Sequence, residues 1–183
     1  RRSVARGLAA LGVTVKDGPG SRVTAVQQDA VVLADGSRHS SALTVWAGGF
    51  VAADLACRSG LTTDAAGRLL TDETLTSVDD DHIVAAGDSA APSGHPLRMS
   101  CQAAEPLGGH AADTVLRRIE GAEPEPLTAA FVGLCISIGR RRGIFQFEHR
   151  NDTATSVHIG GRAGAAVQVA VDARVVCVMS VFT

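Results

Sequence analysis

Tyrosine is absent from this 183-residue chain, and aromatic residues of all kinds make up only 3% of it. The core therefore has to be built from Ala, Val, Leu and Ile packed closely together, which suits helices layered against a sheet. Lysine is almost missing as well: Lys16 stands alone, and the other basic residues are arginines. No long basic patch accompanies them and the net charge is −2, which argues against nucleic acid as a partner. The four cysteines, Cys57, Cys101, Cys135 and Cys177, form no Cys-x-x-Cys pair and have no histidine at zinc-ligand spacing. They read as reduced, partly buried thiols of a cytoplasmic protein, and no metal is expected. Long apolar runs are lacking too. The stretch 163–171 is broken by polar residues and is too short to span a bilayer. The chain opens Arg1-Arg2-Ser3-Val4 with neither Met nor signal peptide, so it is expected to have lost its own start.

What is present is a globular composition, 45% hydrophobic, with helical and strand patterns in alternation. Val4, Leu8 and Leu11 predict a helix over 2–11, closed by Gly12, and residues 13–15 then read as a short strand. Residues 22–46 predict a β-meander with strands near 22–28, 30–33 and 42–46 and a tight turn at Asp35-Gly36. Residues 50–80 are mostly irregular, with a short strand at 68–71. A buried strand is predicted over 82–86 and a loop over 89–98. A second helix is predicted within 100–119, with Leu107, Ala111, Val115 and Ile119 near one face. Pro106 either delays its start to Glu105 or kinks it. Beyond a linker at 121–126, residues 132–138 and 144–148 read as a hairpin with the basic tip Arg140–Arg142, and 160–176 as a final helix. The fold class is thus mixed α/β, with a β-meander and a small C-terminal hairpin and helix.

Two segments carry possible chemistry. In IVAAGDSAAP, residues 83–92, a buried run ends at Gly87-Asp88. Open α/β sheets bind ligands at strand C-termini, glycine admits a ligand close to the backbone, and a carboxylate accepts from sugar hydroxyls. In MSCQAAEPLGGHAA, residues 99–112, a helix opens shortly afterwards. Its free N–H groups and partial positive charge suit an anionic ring or a phosphate. A plain turn aspartate and an ordinary surface helix remain the alternatives.

Together these residues resemble the flavoprotein family that includes type II NADH dehydrogenases and the pyridine-nucleotide–disulfide oxidoreductases. IVAAGD matches the family's Gly-Asp signature, where the resemblance implies that Asp88 bonds the ribityl chain of FAD. It places Gln102, Ala103 and Ala104 at the helix start facing the pyrimidine end of the flavin. VWAGGF, residues 45–50, resembles the return from the NAD(P)H domain, putting Gly48 and Gly49 near NAD(P)H. SGLTTDAAGRLLTDETLTS, residues 59–77, matches the family's spacer before the Gly-Asp strand. The resemblance implies partial FAD- and NAD(P)-binding Rossmann-type domains. Residues 1–48 would be the end of the NAD(P)H-binding domain, 49–121 the end of the FAD-binding domain, and 127–183 part of a C-terminal domain. The cofactors implied are FAD, with NAD(P)H as co-substrate.

The chain departs from the family in three ways. Neither Gly-x-Gly-x-x-Gly turn is present, so the chain reads as a fragment. Pro106-Leu107 stand where the dehydrogenases commonly carry a Gln-Gln pair beside quinone. There is no vicinal cysteine pair for a dithiol relay. The reading is an oxidoreductase passing hydride from NAD(P)H through FAD to a small-molecule acceptor, quinone among the candidates. The alternatives are a non-catalytic association module and a flavoprotein without NAD(P)H binding. The resemblance also allows peripheral contact with the inner face of a membrane and a homodimer. No side chain is assigned as a catalytic acid or base, and His82, His95, His110, His149 and His158 show no spacing for a metal or triad.

Overall fold

The computed structural model describes residues 2–94, 97–128, 131–139 and 141–181, the last ten of these by backbone alone. The chain divides into two compact units, residues 1–49 and 50–183.

In the first unit, helix α1 (Arg2–Ala10) ends as its sequence requires. Gly12 takes φ +73°, while the N–H groups of Gly12 and Val13 return to Ala9 and Leu8 at 3.0 Å each. The strand predicted over 13–15 does not form. Val13 and Val15 stay exposed, and the Val13 N–H is spent on the Leu8 carbonyl rather than on a neighbouring strand.

The meander does form, as β1 (Val23–Val26), β2 (Ala30–Leu33) and β3 (Arg38–Ser40) in antiparallel order. Its turn lies at Asp35-Gly36, with Gly36 at φ +81°. Asp35 accepts the Ser37 N–H at 2.8 Å, and the bonds from Ser37 hold its carboxyl below the usual range. A turn this tight pairs the residues next to it, Val32 with Arg38 and Ala30 with Ser40. By Ser41, whose N–H reaches Asp29, β2 has run out. The third strand therefore lies at 38–40 rather than 42–46, and Leu43, Val45 and Trp46 are left exposed.

The second unit opens with a one-turn helix α2 (Leu55–Arg58). Strand β4 (Leu69–Thr71) pairs in parallel with β5 (Ala90–Pro92), inside the stretch expected to be a loop. The strand predicted over 82–86 is instead an extended run bonded along one side. Ser77 donates to the Ile83 carbonyl at 2.8 Å and Ala85 to that of Leu75 at 3.0 Å, with one bridge between Thr76 and Val84.

Helix α3 (Cys101–Ile119) begins ahead of Pro106, because Ser100 caps it: the serine hydroxyl accepts the Ala103 N–H at 3.2 Å. Pro106 leaves the Gln102 carbonyl without its i+4 donor, which is tolerable this near the N-terminus. Ala103, Leu107, Ala111 and Thr114 face the core. Val115 and Ile119 do not, contrary to expectation, because steps of four residues drift about 40° each around a 3.6-residue helix. The core gathers Leu69, Leu75, Ala85, Ala90, Leu97 and Phe131 against this face.

Strands β6 (Gly133–Ser137), β7 (Gly143–Glu148) and β8 (Ala154–Gly160) form an antiparallel sheet covered by α4 (Gly161–Val181). The hairpin and final helix agree with the sequence; β8 is a third strand that the sequence reading missed. Helix and sheet meet where a Cβ on Gly164 would lie 2.4 Å from the Gly143 carbonyl oxygen. Arg141 and Arg142 are exposed, and Arg140 lies outside the described residues. Among the described residues, no helix is long and apolar enough to cross a membrane.

Leu107 is almost wholly buried at the centre of this core. Leu107→Ala is expected to lower the unfolding free energy by about 2–5 kcal/mol, read from urea denaturation; Ile119→Ala, on an exposed face, should cost under ~1 kcal/mol.

Candidate functional site

Asp88 and the start of α3 are joined directly. The extended run 83–86 passes into a single 3-10 turn, Gly87–Ser89, with Gly87 at φ +59°. A Cβ at Gly87 would meet Ala104 at 3.6 Å, an ordinary contact, so the glycine serves its backbone angle more than a need for space. Asp88 Oδ1 accepts the Ser100 N–H at 2.9 Å. Ser100 in turn caps α3 through its hydroxyl, and its carbonyl accepts from Ala103 and Ala104. Asp88 therefore orients the residue that orients the helix.

This leaves a specific set of unused groups. Among the described residues, the second Asp88 oxygen has no partner, and neither do the N–H groups of Cys101 and Gln102. The first is an acceptor. The others lie at the positive end of a 19-residue helix. Asp88 and Met99 also line a cavity of about 610 Å³ with mostly apolar walls, together with Phe50, Leu55, Ile83 and Ala86; Cys101 and Gln102 are not among its lining residues.

The remaining predicted positions divide. The Gln102 amide lies against the entry of β6; turned so that both its ends are satisfied, it donates to the Gly133 carbonyl at 2.7 Å and accepts the Val132 N–H at 3.0 Å. Ala103 is buried and its N–H is used by the Ser100 cap. Gly48 and Gly49 belong to the first unit. Trp46 covers Gly48 so closely that a Cβ there would lie 2.5 Å from the indole nitrogen, and Gly49 takes φ +100°.

Sequence reasoning took residues 97 and 98 for loop and gave Met99 no role, yet every residue of 97–100 is engaged. The Leu97 carbonyl accepts from Arg68 at 2.6 Å, and Arg68 is paired with Asp64 at 2.7 Å. Burial pushes the Asp64 carboxyl up, but bonds from Arg68 and Ala66 outweigh it and hold the group below its usual range. Arg98 grips Glu148 and Asp152 and lies 4.6 Å above the Phe131 ring. Met99 lines the cavity, and Ser100 caps α3. Only Ser100, a cap residue ahead of a helical pattern, carried a readable signal.

Two expectations about metal-type residues change. Cys57 and Cys101 are exposed rather than partly buried, Cys101 because it is the first residue of α3; Cys135 is half-buried, and the side chain of Cys177 lies outside the described residues. His82 does have partners: its Nδ1 lies 3.0 Å from Asp80 and 2.7 Å from Asp81, in an exposed turn.

A profile of the pyridine nucleotide-disulphide oxidoreductase family matches residues 1–108. The chain belongs to this family. The match takes in both units and reaches Gly87-Asp88, Ser100 and the first two turns of α3. Two NADH dehydrogenase-like proteins from strains of Mycobacterium tuberculosis are each 35% identical over 100 residues, covering 53% of this chain. The chain spans about a quarter of their length, 25%. A solved structure of an NAD-dependent persulfide reductase from A. fulgidus superposes with a TM-score of 0.57 over 80% of this chain and 28% of its own, at 19% identity. That likeness establishes the fold, a mixed α/β arrangement of the Rossmann-like reductase type. The family is one of NAD(P)H oxidoreductases.

Asp64 has a folded-state pKa below its unfolded value, so its contribution is full above the unfolded value and is lost as pH falls through the folded one. Asp64→Asn should therefore flatten the loss of stability seen below about pH 4 in urea titrations at several pH values.

Proposed function

We propose that this chain is part of an FAD-dependent NAD(P)H:acceptor oxidoreductase of the NADH dehydrogenase-like kind, and that it supplies the ribityl- and pyrimidine-facing side of the flavin site. The observation that carries the reading is the junction of Asp88 with the α3 start beside an apolar cavity, all within the family match. The groups left unused there fit a polyol attached to a flat, largely apolar ring. FAD, when bound, would take hydride from NAD(P)H and pass the electrons to a small-molecule acceptor, with quinone one candidate.

In this reading the unpaired Asp88 oxygen accepts from ribityl hydroxyls while its partner oxygen stays on Ser100. The N–H groups of Cys101 and Gln102, with the positive end of α3, favour negative charge on a reduced ring. Gln102 acts through its backbone, since its amide is taken. Ala103 contributes smallness and a rigid cap, and Gly48 and Gly49 are proposed to leave room near the nicotinamide. Residues 1–48, 49–121 and 127–183 would then be the ends of NAD(P)H-binding and FAD-binding domains and part of a C-terminal domain. The protein is proposed to work in the cytoplasm as a relative of the dehydrogenases, with membrane contact and homodimerisation as further proposals. A second reading is an association module that binds no FAD alone; the Gln102 amide and the Ala103 N–H, engaged within the fold itself, are compatible with it.

Visible absorption separates the two: a bound-flavin spectrum supports the first and a colourless chain that takes up no FAD the second. Asp88→Ala should weaken FAD retention by about 1–3 kcal/mol, while Asp88→Asn, which keeps an acceptor for Ser100, should weaken it less. Unchanged affinity in Asp88→Ala would remove the basis for this site.

A further inference from the structure

The clamp on Arg98 joins distant parts of the second unit. Arg98 Nη1 and Nη2 donate to the two oxygens of Glu148 at 3.1 and 3.0 Å, and Nη1 also meets Asp152. Glu148 ends β7 and its side chain is only 4% exposed; Asp152 sits in the turn to β8, 15% exposed and at φ +63°. Two residues after Arg98 stands Ser100, whose N–H reaches Asp88 and whose hydroxyl leans on the Arg98 carbonyl at 3.4 Å. The Arg68 contact is made further back, at the Leu97 carbonyl.

We infer that Arg98 is a positioning residue: gripped by Glu148 and Asp152 of the C-terminal sheet, it holds Ser100 against Asp88 and so couples the β7–β8 turn to the aim of the Asp88 carboxylate. This rests on the flavin-site reading for its use but not for its geometry.

The coupling has a sign. One guanidinium faces two carboxylates in a largely enclosed space. Burial raises the Asp152 pKa first; Arg98 pulls it back, and Glu148 beside it pushes it up again, leaving the group above its usual range. Glu148, by its bonds, keeps Arg98 more firmly protonated. The other charged groups near the turn, His149 and Arg150, are exposed, and His149 meets Asp152 through its backbone carbonyl, which accepts the Asp152 N–H at 3.0 Å. Both contacts with Arg98 lower the Asp152 pKa, so a state in which Arg98 lets go has a higher Asp152 pKa than the clamped one. The clamped state is therefore favoured as pH rises through the Asp152 titration and is lost as pH falls through it, and the hold on Ser100 follows.

Hydrogen exchange of the Ser100 amide in the 183-residue chain without flavin tests this, with the Ala85 amide, bonded to Leu75 in the core, as reference. After correction for intrinsic rates, Ser100 protection should rise as pH rises through the Asp152 titration, and Asp152→Asn should abolish that dependence. Arg98→Gln should lower Ser100 protection about tenfold with Ala85 little changed. Equal loss at Ser100 and Ala85 would mean that Arg98 merely stabilises the fold and would overturn the inference. So would Ser100 protection that does not depend on pH in the unsubstituted chain. A flavin affinity indifferent to Asp88→Ala would defeat the proposed function while leaving the exchange result to stand.

Discussion

The hydrogen bond from the Ser100 N–H to Asp88 is the contact through which the second unit is organised. A helix N-terminus must satisfy or expose four N–H groups, and Ser100 settles those of Ala103 and Ala104 by its hydroxyl and carbonyl. For that it must itself be held, and the Asp88 carboxylate holds it. The 3-10 turn, the cap and the helix are thus one assembly rather than neighbours. Its by-product is the candidate site: among the described residues, one carboxylate oxygen is consumed, the other is left over, and two N–H groups at the helix end remain unused.

The core supports this assembly from behind. Leu107 and Ala111 of α3 pack on Leu69, Leu75 and Ala90, so the helix axis is set by apolar burial while its N-terminus is set by polar contacts. Gln102 then ties the same helix start to the entry of β6. Substitutions in the core and at the cap should consequently act differently, the first on global stability and the second on local order at the site.

What was legible in the sequence is what local chemistry decides. Gly12 closing α1, Asp35-Gly36 turning the meander, and the Gly87-Asp88 signature all depend on residues a few positions apart. What was hidden depends on partners far along the chain. The run 82–86 has strand composition but neighbours on one side only, so it stays an extended segment. Ala90–Pro92 looks like a loop, and becomes a strand because β4 is there to pair with it. The family membership rested on the readable kind of signal, the family match bore it out, and the Arg98 clamp rested on the unreadable kind. The individual site residues were nominated by resemblance. The structure adds that Asp88 and the α3 start are in contact, while the Gln102 amide and the Ala103 N–H are already engaged.

The central claim is that Asp88 meets the flavin with the oxygen that Ser100 leaves free. It is tested most directly by the carboxyl carbon resonance of Asp88 during titration of the intact protein with FAD. The account predicts a shift that saturates together with the bound-flavin absorption, while the Ser100 amide resonance stays close to its starting position. A bound-flavin spectrum that develops with the Asp88 carboxyl resonance unmoved would contradict it.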